Sequence, residues 1–401
     1  MFKTWNMFLV IGTFSAVIFG TFATRSGLVD SVHSFAQSGI GMPMFLYWFG
    51  MTIVSAGLIL WRKQRGELNS EHKLKSLFSR EALFILNNFI FLALFIAVFW
   101  GSFGAPIISE LFMDTDITLG LDYFMQVTPP LFGLLFLLMG VAPLTAWGTT
   151  SLSRLGKSIF VPVVLTVLLL AVIIAYGTTH VGALIGYGVV ALAGFVVIYE
   201  TFRGAAARRR RFNENWFDAF SKLARRNPRR YGGYVVHLGI TVIGIGVIGS
   251  TLFQVETQKV LAVGETLNVQ DYEMRYDGFL RNQIADDGRR MDIAEVTIIR
   301  DGKEIAQLRP RVDSFPTSAE RMTIAGAHST LENDFYVLLV SWDPLGQNEA
   351  TFKVFINPLI NLVWGGGLIL VLGTIIAVWS PSVSATGVRK PKSSEKIGAS
   401  G

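Results

Sequence analysis

Runs of about twenty apolar residues recur along this chain, near 5–24, 43–61, 82–101, 128–147, 158–177, 181–201, 232–252 and 357–379. Each is long enough to cross a bilayer core, which takes about 20 residues of helix. In lipid the backbone must satisfy its own polar groups, and a helix does so within one segment. The predicted fold class is therefore an all-α polytopic membrane protein of about eight spans. Only 16% of residues are charged, where a soluble domain carries roughly 25%. The first run exceeds the roughly 7–15 apolar residues of a secretory signal and lacks a small-x-small cleavage site, so it reads as a retained span.

Basic residues sort the loops. Arg62–Arg80 is rich in Lys and Arg, Arg154 and Lys157 follow the fourth run, and Arg203–Arg230 contains the block Arg208–Arg211. The C-terminal tail adds Arg389, Lys390, Lys392 and Lys396. The alternate connections, Ser102–Thr128 and Thr178–His180, hold no Lys or Arg. The positive-inside rule then predicts both termini in the cytoplasm of a multi-pass inner-membrane protein. The formal charge of +6 is an orientation signal rather than a nucleic-acid footprint, because it is confined to these loops. Trp216, Phe217, Phe220 and Leu223 recur at near-helical spacing among basic residues, as in an interfacial helix held by membrane lipid. Pro143 predicts a kink in the fourth span. Tryptophans 5, 48, 61, 100, 147, 364 and 379 fall near span ends, as an aromatic belt does.

The segment 253–356 breaks the pattern. It is polar and net acidic, with short β-type runs at Tyr272–Phe279, Met291–Arg300 and Phe335–Val340. Asp277-Gly278, Asp287-Gly288 and Asp301-Gly302 are turn signals between them, and Ile299–Ile305 is a hairpin candidate, since Asp-Gly favours a type I′ turn. The predicted organisation is a helical domain over 1–252 with an outer loop at 24–42, an extracytoplasmic β-rich sandwich or barrel over 253–356, a last transmembrane helix over 357–380, and a disordered cytoplasmic tail over 381–401.

The chain has no cysteine. It forms no disulfide, does no thiol chemistry of its own and carries no C-x-x-C-H haem attachment site. Of its five histidines, His72, His180 and His328 read as ordinary loop or surface residues. His237 lies inside an apolar span, where an ionisable side chain is costly and faces a partner or a cofactor. A neutral imidazole bonded to a neighbouring helix and an axial ligand of haem iron are comparable readings of that position. Glycines 232, 233, 239, 244, 246 and 249 strip bulk from the same helix, which permits close helix packing and equally a flat macrocycle. His33 lies in a polar loop just beyond the first span. Arg25, at the membrane edge, reads either as a snorkelling lipid anchor or as a bidentate partner for a propionate.

The run Thr24-Arg25-Ser26-Gly27 followed by Ser31-Val32-His33-Ser34-Phe35 resembles the cytochrome c haem lyase family CcmF/NrfE. Ser79-Arg80-Glu81 with Asn87-Asn88, Arg226–Tyr234 with His237, and Asn357-Pro358-Leu359 with Trp364-Gly365-Gly366 are similar to the same family in the same order. The resemblance implies that His33 is one of two outer histidines ligating a delivered haem, and that His237 binds a permanent transmembrane haem b. It places a tryptophan-rich motif and the second histidine for each haem before the segment matching Trp5. Their absence here implies a split gene or a truncated product that is inactive without an N-terminal CcmF-like partner.

The implied chemistry joins haem vinyl groups to the thiols of an apocytochrome c C-x-x-C-H motif. The implied partners are that N-terminal subunit, a CcmE-type haem chaperone, the apocytochrome and a thiol-reducing CcmH-type protein. A rival reading from another class, a membrane transporter or assembly scaffold without haem, meets few ionisable residues in the spans and no internal repeat.

Overall fold

The computed structural model describes residues 3–26, 39–69, 74, 76–113, 115, 117–315, 321–342 and 349–379. The chain is a helical polytopic membrane protein with an inserted β domain: among the described residues eight helices are long and apolar enough to cross a membrane. It divides into two units, Met1–Phe160 and Val161–Gly401. The helices are α1 (Lys3–Ser26), α2 (Gly41–Gln64), α3 (Arg80–Phe99), α4 (Ala105–Met113), α5 (Leu121–Val141), α6 (Leu152–Ala175), α7 (Val181–Phe212), α8 (Trp216–Arg226), α9 (Pro228–Leu252) and α10 (Asn361–Val378).

In the first unit α1 pairs with α2 through a small polar knot. Trp48 Nε1 donates to Ser15 Oγ at 2.9 Å, and Ser15 bonds Thr52 Oγ1 at 2.8 Å. Ser79 caps α3 by accepting the Ala82 N–H at 3.2 Å. Arg80 donates to the carbonyls of Pro143 and Thr145, and Glu81 accepts the Gly148 N–H. The Ser79-Arg80-Glu81 motif is thus a staple between the start of α3 and the turn after α5. Two expectations fail here. Ser102–Thr128 is mostly helix rather than loop: a π turn over Trp100–Gly104 leads straight into α4, and α5 already starts at Leu121. Pro143 does not kink a helix but lies in the 3₁₀ turn that ends α5, whose internal prolines are Pro129 and Pro130.

In the second unit the basic segment 203–230 is also helical, not a loop. α7 runs on to Phe212, and Asn213 in left-handed backbone (φ 51°) turns the chain into α8. Its side chain can stabilise that conformation locally, which most residues cannot. Asn215 caps α8 by accepting the Asp218 N–H, and Pro228 opens α9 at a position that needs no N–H donor. At the end of the first unit, Arg154 and Lys157 likewise sit in the first turns of α6.

The β domain is a sandwich between α9 and α10. β1 (Val255–Ala262), β10 (Glu349–Pro358), β9 (Asn333–Trp342) and β8 (Gly326–Ser329) form one sheet in that order. The other has β2 (Thr266–Val269), β3 (Tyr272–Ile284), β4 (Arg290–Arg300), β6 (Arg311–Ser314) and β7 (Arg321–Ile324), with β5 (Lys303–Leu308) also on β4. Alternating residues of both sheets fill the core, including Tyr276, Met274, Ile298, Phe335, Phe352 and Ile356. Each such side chain stabilises the sandwich by about 1.5–3 kcal/mol. The β4–β5 hairpin pairs Arg300 with Lys303, and Asp301 and Gly302 both have positive φ, as a type I′ turn requires. Asp277-Gly278 is not a turn but a bulge within β3.

The sandwich joins the membrane helices at one corner. β1 pairs with β10 up to Val255 and Ile356, and Gln254 donates to Asn357. Leu359, at φ 60°, turns into α10; its N–H donates to the Glu332 carbonyl, and Asn361 donates to Thr330 O. Arg300 donates to the Glu332 carboxylate and to Tyr272 OH.

That arginine holds the Glu332 carboxyl below its ordinary range. A folded-state pKa below the unfolded one stabilises above the ordinary carboxylate range and is lost as pH falls through the lowered value. The Glu332 carboxylate is 62% exposed, so Glu332→Gln should cost about 1 kcal/mol or less at neutral pH. Its unfolding midpoint should also fall less than that of the parent between neutral pH and pH about 3, as followed by circular dichroism.

Candidate functional site

His237 lies on α9, roughly 13 Å along the helix from Pro228 at about 1.5 Å per residue. Two neighbours fix α9 around it. Toward α10, Gly232, Gly239 and Gly246 recur every seven residues, opposite Gly366 and Gly373. A Cβ at Gly239 would stand 2.6 Å from Leu370 N and 2.7 Å from Gly366 O, and one at Gly366 would stand 2.7 Å from Gly239 O. The helices meet backbone to backbone. These glycines therefore serve helix packing rather than a flat ligand, which resolves the double reading of the sequence.

Toward α7, the Thr241 methyl fills the space over Gly194, while its hydroxyl donates to His237 O at 2.9 Å. Two turns before His237, Arg230 reaches Glu200 of α7 at 3.5 Å and donates from Nε to Tyr234 OH at 3.0 Å. Glu200 also holds Arg203 at 2.9 Å, with its own side chain only 1% exposed.

Gly233 differs from the seam glycines. It stands one turn from His237 on the same face, and nothing lies within 4 Å of where its Cβ would be. His237 Nδ1 is buried and has no hydrogen-bond partner. An imidazole with an unspent nitrogen, beside a face cleared by glycine, is what an axial ligand needs. Among the described residues no three His, Asp or Glu side chains gather as a metal site.

His33 and His72 lie outside the described residues. Arg25 is exposed in the last turn of α1, in the first unit. His180 caps α7 by accepting the Ala183 N–H at 3.1 Å, and His328 is half-buried in β8.

The first unit holds a feature the sequence did not disclose, a cleft of about 640 Å³ lined by Phe19, Trp48, Phe95, Phe99, Phe103 and neighbouring residues. Its polar groups, Ser15, Thr52 and the Trp48 indole, bond one another. Glu200 also went unremarked, although a lone acidic residue in the apolar run 181–201 was its signal.

Known proteins resemble the chain along almost its whole length. Residues 252–358 match the family described as the CcmF C-terminal beta-sandwich. The cytochrome c-type biogenesis protein CcmF of Pseudomonas fluorescens is 29% identical over 94% of this chain and 55% of its own length. Its β domain is the CcmF C-terminal sandwich, and the chain around it is similar to CcmF proteins. The CcmF of Escherichia coli strain K12 is 25% identical over 95% of this chain and 56% of its own, and the NrfE of Haemophilus influenzae is 24% identical over 94% and 56%. A solved structure, "Cytochrome c Heme Lyase CcmF", superposes with TM-score 0.71 at 23% identity over 94% of this chain and 55% of that one, which shows the shared fold. The chain thus spans about half the length of the curated relatives it matches.

Proposed function

We propose that this chain is the later part of a cytochrome c haem lyase, with His237 holding a transmembrane haem b. The observation that carries the reading is the buried, unbonded Nδ1 of His237 beside the open Gly233, in a chain similar to CcmF across 94% of its length. The bound haem b would supply electrons that keep a delivered haem ferrous. α10 and α7 orient His237 from two sides and keep the α9 backbone from sliding.

The delivered haem is substrate. His33 would take its iron and Arg25 its propionate, the latter through a bidentate guanidinium pair. Each thioether then forms by adding an apocytochrome S–H across a vinyl C=C, so sulfur bonds to one vinyl carbon, the proton goes to the other, and no net electron is exchanged. A chain without cysteine suits this, since both thiols belong to the substrate. The second axial ligands, and the tryptophan-rich motif, would come from an N-terminal CcmF-like partner. A CcmE-type chaperone would bring haem, and a CcmH-type protein would present reduced thiols. Both termini would be cytoplasmic, with the sandwich on the outer side, because the basic segments flank alternate spans.

The test is a reduced-minus-oxidised absorption spectrum of the detergent-purified chain with its N-terminal partner. A low-spin bis-histidine signal is expected in the parent and its loss in His237→Ala. A haem-free parent that is folded and partner-bound would sink the haem b reading and favour a scaffold or transporter.

A further inference from the structure

The segment 203–230 holds ten Lys and Arg against two acidic residues, Glu214 and Asp218. Glu214 takes Arg208 at 2.7 Å and Lys222 at 3.0 Å, and Asp218 lies 4.0 Å from Lys222. Arg203 and Arg230 belong to Glu200. Local carboxylates are thereby committed, and six exposed arginines remain. Arg209 lies over the Trp216 ring and Arg211 over Phe212. Arg210, Arg225, Arg226 and Arg229 have no ion-pair partner among the described residues.

Their place in the fold narrows what they can meet. α7 has 32 residues, about 48 Å of helix, against a hydrocarbon core of about 30 Å. Its apolar part is 181–201, so the turns after Thr201 project past the lipid tails. α8 packs along this projecting stretch: Phe202 meets Trp216 and Phe220 edge-on, with centroids 6.1 and 5.4 Å apart. Trp216 and Phe220 are therefore used in part within the fold, and Trp216 keeps 42% of its surface exposed. Phe217 points away from that cluster and is 81% exposed.

We infer that α8 and its flanking turns bind the headgroups of anionic phospholipids. Guanidinium groups match phosphate oxygens in bidentate fashion. The arginines stand where α7 leaves the bilayer, and Phe217 offers an apolar ring to the acyl boundary beside them. A soluble acidic protein would use the charges but leave Phe217 in water. The surface holds the cytoplasmic ends of α7 and α9 against the headgroups, independently of whether His237 binds haem.

Native mass spectrometry of the detergent-purified full chain tests this, with dioleoylphosphatidylglycerol, dioleoylphosphatidylcholine and inorganic phosphate as separate probes. Phosphatidylglycerol should bind at least tenfold more tightly than phosphatidylcholine, and phosphate alone weakly. Each basic side chain near an anionic surface contributes roughly fivefold in affinity. Arg225→Gln/Arg226→Gln/Arg229→Gln should therefore weaken phosphatidylglycerol binding roughly a hundredfold at an unchanged unfolding midpoint, and Phe217→Ser several-fold. Equal binding of the two lipids, or no change in the triple variant, would overturn the inference. So would displacement of phosphatidylglycerol by polyglutamate at lower concentration, which would assign the surface to an acidic protein.

Discussion

Gly239→Ala is expected to destabilise the second unit by about 2 kcal/mol or more, although alanine is the better helix former by about 1 kcal/mol. The new Cβ would stand 2.6 Å from Leu370 N and 2.7 Å from Gly366 O. Both are backbone atoms of α10, so relief requires moving a helix rather than turning a side chain. Overpacking of this kind costs about 1–3 kcal/mol, occasionally more, and van der Waals packing is the main attraction between helices in lipid. Gly233→Ala is the control: nothing lies within 4 Å of its Cβ position, so stability should hold or rise slightly. Thermal unfolding in detergent by circular dichroism separates the two. Equal midpoints for both variants would show that the α9–α10 seam does not set stability. Enlarging Gly233 to leucine carries a functional expectation as well. The chain should stay folded while haem retention falls, because the bulk enters the face of His237 and not the seam.

Removing both cations from Glu200, in Arg203→Gln/Arg230→Gln, is expected to cost about 3 kcal/mol, the lower end for breaking a buried ion pair. The lower end applies because Arg203 and Arg230 are 52% and 56% exposed while the carboxylate is 1% exposed. The asymmetry has a consequence. Glu200→Gln deletes the buried charge and leaves two cations that already reach water, so it should cost less, about 1.5–3 kcal/mol. If the double arginine variant unfolds at or above the midpoint of Glu200→Gln, the cluster is a surface pair in energetic terms and does not pin α7 to α9. A triple variant carrying all three changes should recover part of the loss, since no buried charge then remains.

Much of this architecture could be read from residue order alone. Spans announce themselves because lipid demands about 20 apolar residues in a row, and the interior of each was located even where its ends were not. The ends fail for one reason: a helix can run on past the bilayer in polar residues. The Arg208–Arg211 block looks like a loop by hydropathy, yet Arg is a good helix former, and α7 ends only where Asn213 takes a left-handed conformation. In the sandwich, Asp301-Gly302 was legible as a turn because type I′ geometry selects that dipeptide. Asp277-Gly278, the same dipeptide, became a bulge because β4 pairs on both sides of it. The short β2, β6, β7 and β8 strands are defined by their neighbours more than by their own residues.

The candidate site divides in the same way. An imidazole at depth in an apolar run marks His237 from the sequence, since the cost of placing it there demands a reason. What the glycines around it do could not be decided from one helix. The seven-residue spacing of Gly232, Gly239 and Gly246 gains meaning only when Gly366 and Gly373 arrive opposite, more than a hundred residues later in the chain. Glu200 shows the same limit, because whether a carboxylate in a span is an error, a proton carrier or a clamp depends on Arg230, which only the pairing of α7 with α9 brings near. The number of spans, the presence of a β insert and the one histidine at depth are written in residue order, because each follows from transfer free energies summed along a continuous stretch. The tertiary structure alone decided which glycines are contacts, which is open space, and which charges are already paired, because those depend on distances between stretches far apart in the chain.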